Sequence, residues 1–133
     1  AGTPVVCRLC ESGRSIVKFV LPLPPNRANS RWHWREESRR KNTFYLMSTA
    51  LYPRLPAQRL ERCDISCDLY VWSVMDHDNL VGRCKWVLDW LQAREYIASD
   101  SPACIGTLTV RQHIDRKNQR LELEIIPSEG ETL

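Results

Sequence analysis

No apolar stretch in the 133 residues approaches the ~20 that a membrane-crossing helix needs. The opening residues, AGTPVVCRLCESGR, lack the charged-then-apolar order of a secretory leader. A soluble, cytoplasmic protein with no membrane partner is therefore expected. Strong net charge is missing too, because 19 Lys and Arg stand against 16 Asp and Glu, leaving +3. That excludes a bulk polycation but not a local concentration of positive charge. No internal repeat or low-complexity segment interrupts the chain. With 43% hydrophobic residues the length suits one compact domain and leaves nothing for a second.

Six cysteines are present. Outside an oxidising compartment they point to thiols or a metal site rather than a disulfide framework. Cys7 and Cys10 form a C-x2-C pair, Cys63 and Cys67 a C-x3-C pair, and Cys84 and Cys104 stand alone. A structural zinc site wants two tight knuckles, whereas the second pair lies in the strand-like run CDISCDLYVW. Free thiols fit better, and a small zinc-bearing interaction module remains the alternative.

The residue pattern gives elements in the order β-α-β-α-β-β. SIVKFVLPL (15–23) is rich in strand formers and stops at Pro24-Pro25. PPNRANSRWHWREESRRK reads as a loop that concentrates Arg27, Arg31, Arg35, Arg39, Arg40 and Lys41 around Trp32 and Trp34. NTFYLMSTALYPRL (42–55) has helical spacing, with Asn42 or Thr43 as cap and Pro53 as terminator. DISCDLYVWSV (64–74) is a strand, and residues 79–93 form a second helix. IGTLTVRQ and RLELEII, joined by DRKN, read as a terminal hairpin. The expected fold is a single small α/β (α+β) domain, a mixed sheet with two helices packed against it.

VMDHDNLVGRCKWVLDWL (74–91) carries the chemistry. On an extended segment Asp76 and Asp78 project to one side and His77 to the other. Counted around a helix from Asp78, Lys85 and Asp89 share its face, while Leu80, Cys84, Val87, Leu88 and Leu91 form the opposite, apolar stripe. Trp86 and Trp90 lie on the flank, open to the core or to an interface. As ordinary structure, Asp78 would cap a helix and Lys85–Asp89 would be a surface ion pair. A third carboxylate, Asp100 in YIASDSP, changes the balance if it returns to join the first two. Three acids beside a lysine suit Mg2+ (or Mn2+) and phosphodiester hydrolysis. The cations and tryptophans of 27–41 suit phosphate contact and base stacking, and thus nucleic acid.

FVLPLPPNRANSRWHW, DHDNL with the following KWVLDWL, and YIASDSP resemble the RusA family of Holliday junction resolvases over roughly residues 15–126. That leaves 1–14 as an N-terminal extension and 127–133 as a tail. The resemblance implies a metal-dependent endodeoxyribonuclease that acts as a homodimer on four-way DNA junctions. Asp76, Asp78 and Asp100 would be the metal-binding acids and Lys85 the catalytic lysine. Arg27, Asn29, Arg31, Arg35, Arg39, Arg40 and Lys41 would contact DNA. A bacterial setting, phage or prophage encoded, with a part in recombination, goes with it. The chain departs from the family pattern in VGRC, three residues longer before the lysine, which shifts Lys85 by about 4.5 Å along a helix and makes Arg83 an alternative cation and Asp89 an auxiliary group. It also has Ser99-Asp100 where the family often carries two acids. Loss of chemistry through that insertion would leave a junction-binding protein.

Overall fold

The computed structural model describes residues 5–9, 15–25 and 33–128, with side chains from Ile16 onward. Five strands form one sheet: β1 (Val5–Leu9), β2 (Ser15–Leu21), β3 (Cys63–Val71), β4 (Ile105–Ile114) and β5 (Arg120–Pro127). Their spatial order is β1-β2-β5-β3-β4. All pairings are antiparallel except β3–β4, which run parallel from Cys63 beside Ile105 to Val71 beside Ile114. The helices are α1 (Trp34–Leu51), α2 (His77–Gly82) and α3 (Lys85–Ala93). The expected class holds: a small α+β domain, a mixed sheet with helices against it. Val5–Leu9, read as part of an extension, adds an edge strand to β2. Among the described residues no helix is long and apolar enough to cross a membrane.

Three expectations change. α1 starts at Trp34, eight residues before Asn42, because the charge run is helical surface rather than loop. His33 is the N-cap, its Nδ1 accepting from the Arg35 N–H at 3.2 Å. Glu36 and Glu37 occupy the first turn, where the helix dipole favours acids. Glu36 then accepts from Arg39 at 2.7 Å and Arg40 at 2.8 Å, one turn along. These cations, Arg39 foremost, hold the Glu36 carboxyl below its usual range. Thr43 caps nothing; its hydroxyl donates to the Arg39 carbonyl within the helix. The helix stops before Pro53 as expected.

The second change concerns the last two strands, which are not a hairpin. β5 inserts between β2 and β3, and β3 separates it from β4. The DRKN link crosses the end of β3, where the Asp115 N–H donates to the Val71 carbonyl and Arg116 Nε to the Trp72 carbonyl. Third, the helix expected over 79–93 is two helices. Cys84 N–H reaches back only three residues, to Val81, tightening the backbone between Gly82 and Lys85. Its apolar stripe survives the break: Leu80, Cys84, Val87 and Leu91 are buried and Leu88 packs at their margin. Trp86 and Trp90 belong to the core, Trp90 donating its indole N–H to Thr49.

Alternation, strict in β5 and broken in β3 only by buried Ser66, divides the sheet into two faces. The odd-numbered residues of β2, β3 and β5 bury against the helices. Phe19 stands at the centre, edge-on to Tyr52 and Tyr96 at 4.9 Å each and to Trp90 at 5.8 Å. The other face is a polar ladder. Asp68 accepts from Arg111 Nε at 2.9 Å and meets His113 Nε2 at 2.8 Å, while Tyr70 stacks between His113 and the Arg120 guanidinium. Burial works to raise the Asp68 carboxyl, but its bonds to Arg111 and His113 outweigh it and hold the group below its ordinary value.

Phe19→Ala should cost about 3–5 kcal/mol in urea unfolding, the loss expected for a fully buried ring. A carboxyl held low stabilises the fold above the unfolded Asp value of about 3.9 and ceases to as pH falls below it. The stability gap between wild type and Asp68→Asn should therefore be present at neutral pH and shrink towards zero as unfolding is followed into acid below about pH 4.

Candidate functional site

The loop leaving β3 is fastened before it reaches the two acids. Gln112 on β4 takes the Met75 N–H on its Oε1 at 2.9 Å and returns its Nε2 to the Met75 carbonyl at 3.0 Å. From the other side Arg83 lies against the Met75 sulfur at 3.0 Å and donates to the Pro24 carbonyl at 2.5 Å. Half-buried, this guanidinium has its pKa lowered by burial. Arg83 thus ties the exit of β2 to the entrance of α2. Cys84, its neighbour in VGRC, is buried against Leu80 and the core. Residues VGRC therefore form the break between α2 and α3 and its two anchors.

On that platform Asp76 is the N-cap residue of α2, with its side chain making no capping bond, and Asp78 lies in the first turn. Both are exposed, and neither carboxylate has a hydrogen-bond or ion-pair partner among the described residues. The cap position belongs to Asp76 rather than Asp78, so the helix starts two residues earlier than the pattern suggests. Lys85 opens α3 and turns to Asp89, 3.8 Å away, which also holds Lys41 of α1 at 3.2 Å. These three groups line a cleft of about 180 Å3 with Glu37, Ser38 and Trp86. Lys85 makes no ion pair with Asp76 or Asp78.

Asp100 does not join the first two acids within one protomer. The segment before β4 runs beside the residues before β3, with Ile97 bridged to Leu60 and the Ala98 N–H donating to the Leu60 carbonyl at 2.9 Å. Because β3 and β4 are parallel, Asp100 lies at the strands' N-terminal end and Asp76 beyond their C-terminal end. Nine residues of β3 at about 3.3 Å each put about 26 Å of strand between those ends. Among the described residues no group of three or more His, Cys, Asp or Glu is placed to hold a metal ion. Asp76 and Asp78 therefore stand together, and Asp100 apart from them.

Of the expected DNA contacts, Arg27, Asn29 and Arg31, together with Trp32, lie outside the described residues. Arg35, Arg39 and Arg40 project from exposed positions on the first turns of α1, and Trp34 is 64% exposed with the Arg35 guanidinium over its ring. Beside them Pro22, Leu23, Pro25, Phe44 and Met47 line an apolar groove of about 370 Å3 rimmed by Arg39 and Arg40. Cys63, Cys67, Cys84 and Cys104 are buried free thiols, and Cys67 has its pKa raised, first by its bond to Cys84 and then by burial. They are packing groups; Cys10 and the side chain of Cys7 lie outside the described residues. Sequence reading missed Gln112, and the only signal for it was a polar residue on the helix-facing side of an edge strand. No protein-family model matches the chain, and no curated protein matches it.

Gln112→Ala removes both bonds to Met75. It should cost about 1–2 kcal/mol in urea unfolding, and the Met75 amide should exchange with solvent markedly faster than in wild type while the amides of β5 keep their relative protection.

Proposed function

We propose that this protein is a divalent-metal-dependent endodeoxyribonuclease of the RusA type, acting on four-way DNA junctions. The observation that carries the reading is the pair Asp76 and Asp78. Two exposed carboxylates two residues apart, with no protein partner among the described residues, offer oxygen ligands to a hard divalent cation. Here they sit on a segment held from both sides by Gln112 and Arg83. A bystander pair on a surface helix needs no such clamp.

The cations of α1 suit a phosphate backbone. Arg35, Arg39 and Arg40 can neutralise phosphates without reading sequence, as a structure-selective nuclease requires. Exposed Trp34 offers a stacking surface where bases are unpaired at a branch. Lys85 and Lys41 flank Asp89 at the start of α3, where they add positive charge beside the phosphate path. A two-fold dimer would match the two symmetric strands of a junction.

A second reading is favoured by the distance of Asp100: a protein of the same fold that binds junctions and leaves them uncut. One assay separates the two. A synthetic four-way junction and a linear duplex of the same sequence are incubated with protein in Mg2+ or EDTA. Symmetric nicking of the junction in Mg2+, abolished by EDTA and reduced at least a hundredfold by Asp78→Asn, is the expected result. Binding without nicking in Mg2+ sinks the enzymatic reading, and equal cutting of the linear duplex sinks the junction specificity. Arg39→Ala with Arg40→Ala should weaken junction binding and flatten its dependence on salt, the mark of lost phosphate contacts.

A further inference from the structure

We infer that Trp72 and the two cations that follow β4, Arg116 and Lys117, form a docking site for one unpaired nucleotide at the branch of the DNA. The base stacks on the indole and its phosphates lie on the cations. This rests on the reading of branched DNA as substrate under Proposed function. It adds a nucleotide grip at the same end of the sheet as Asp76 and Asp78.

The parallel pairing carries β3 and β4 out of the sheet at one end, with Val71 beside Ile114. The residues that follow stay alongside each other. The Asp115 N–H donates to the Val71 carbonyl at 3.0 Å and Arg116 Nε to the Trp72 carbonyl at 3.2 Å. The Arg116 guanidinium thereby comes to lie over the indole, 5.3 Å from the ring centre. Trp72 is still 57% exposed, whereas Trp86 and Trp90 are 3% and 0% exposed in the core. Large aromatics are ordinarily buried, so an indole left open where the chain leaves a strand is free to meet a ligand. The cations beside it are free as well. Arg111 is held by Asp68, and Arg120 by Asp115 and Glu122. Arg116 and Lys117 are exposed and have no carboxylate partner among the described residues.

This site is close to the acid pair and rigidly joined to it. Asp76 follows Trp72 by four residues, a span of at most about 14 Å between Cα atoms. Along one DNA strand that is no more than about four steps of ~3.4 Å. Within the span Gln112 of β4 holds both the N–H and the carbonyl of Met75, so the indole and the acids keep a fixed relation. A base inside a duplex is stacked on both faces and has none to offer an indole. A base released at a branch has one. Because every base presents a π face, an aromatic platform accepts any of them. Backbone phosphates likewise carry no sequence information. The site therefore selects branch structure and not sequence, and it delivers the strand beside the branch to Asp76 and Asp78.

The test measures binding in EDTA, so that no cutting intervenes, by fluorescence anisotropy. The probes are a labelled four-way junction with one unpaired nucleotide at the branch and a fully paired linear duplex. Trp72→Ala should weaken junction binding about tenfold, as loss of one base–indole stack does, and leave duplex binding within about twofold of wild type. Trp72→Phe keeps an aromatic face and should retain most of the affinity. Arg116→Ala with Lys117→Ala should lower the slope of log K against log salt by about 1.4, two contacts at about 0.7 each for unpaired strand. On irradiation, 5-iododeoxyuridine at the unpaired position should crosslink to Trp72. Junction binding by Trp72→Ala equal to wild type overturns the site, as do crosslinks that fall on Trp34 and not on Trp72. Equal weakening on junction and duplex overturns the preference for an unpaired base. Failure of wild type to bind the junction at all instead removes the DNA reading on which the site rests.

Discussion

The parallel pairing of β3 with β4 is the constraint from which the rest of the structure follows. In a sheet otherwise antiparallel, it obliges the chain to leave one end of β3, cross over the face, and re-enter at the other end. α2 and α3 are that crossing, and their apolar stripe covers the sheet face on which Phe19, Leu69 and Leu123 lie. The same pairing separates the acids that follow β3 from the acid that precedes β4. It also leaves β4 at the edge, because β5 takes the other side of β3. Core, edge and division of the candidate site share one cause.

Holding the acid pair in place is the work of few contacts. Gln112 supplies the amide a neighbouring strand would otherwise supply to Met75, so the loop behaves like one more rung of the sheet. Arg83 closes the other side at the cost of burying part of its guanidinium, a cost offset by a carbonyl and a sulfur. Both partners are polar groups doing structural duty so that Asp76 and Asp78 remain exposed without neighbours. Residues VGRC supply Arg83 and buried Cys84 and place Lys85 at the head of a separate helix beside Lys41 and Asp89.

Much of the fold was legible because burial leaves periodic traces. The stripe from Leu80 to Leu91 and the alternation of RLELEII both reappear in the structure. Other features leave no local trace. The helical start at Trp34 was obscured by Arg and Lys, which read as loop until Glu36 is recognised one turn before Arg39 and Arg40. RLELEII could pair with whichever strand lay alongside; nothing within it distinguishes a hairpin to β4 from insertion beside β3. Sequence spacing brought Asp100 close to Asp76 and Asp78, whereas strand direction, a property of the whole sheet, sends it to the far end.

The most direct test is an anomalous difference map from crystals grown with Mn2+. The metal-dependent reading predicts a peak ligated by both Asp76 and Asp78. A map with no peak at this pair, or with peaks only elsewhere on the chain, would contradict it.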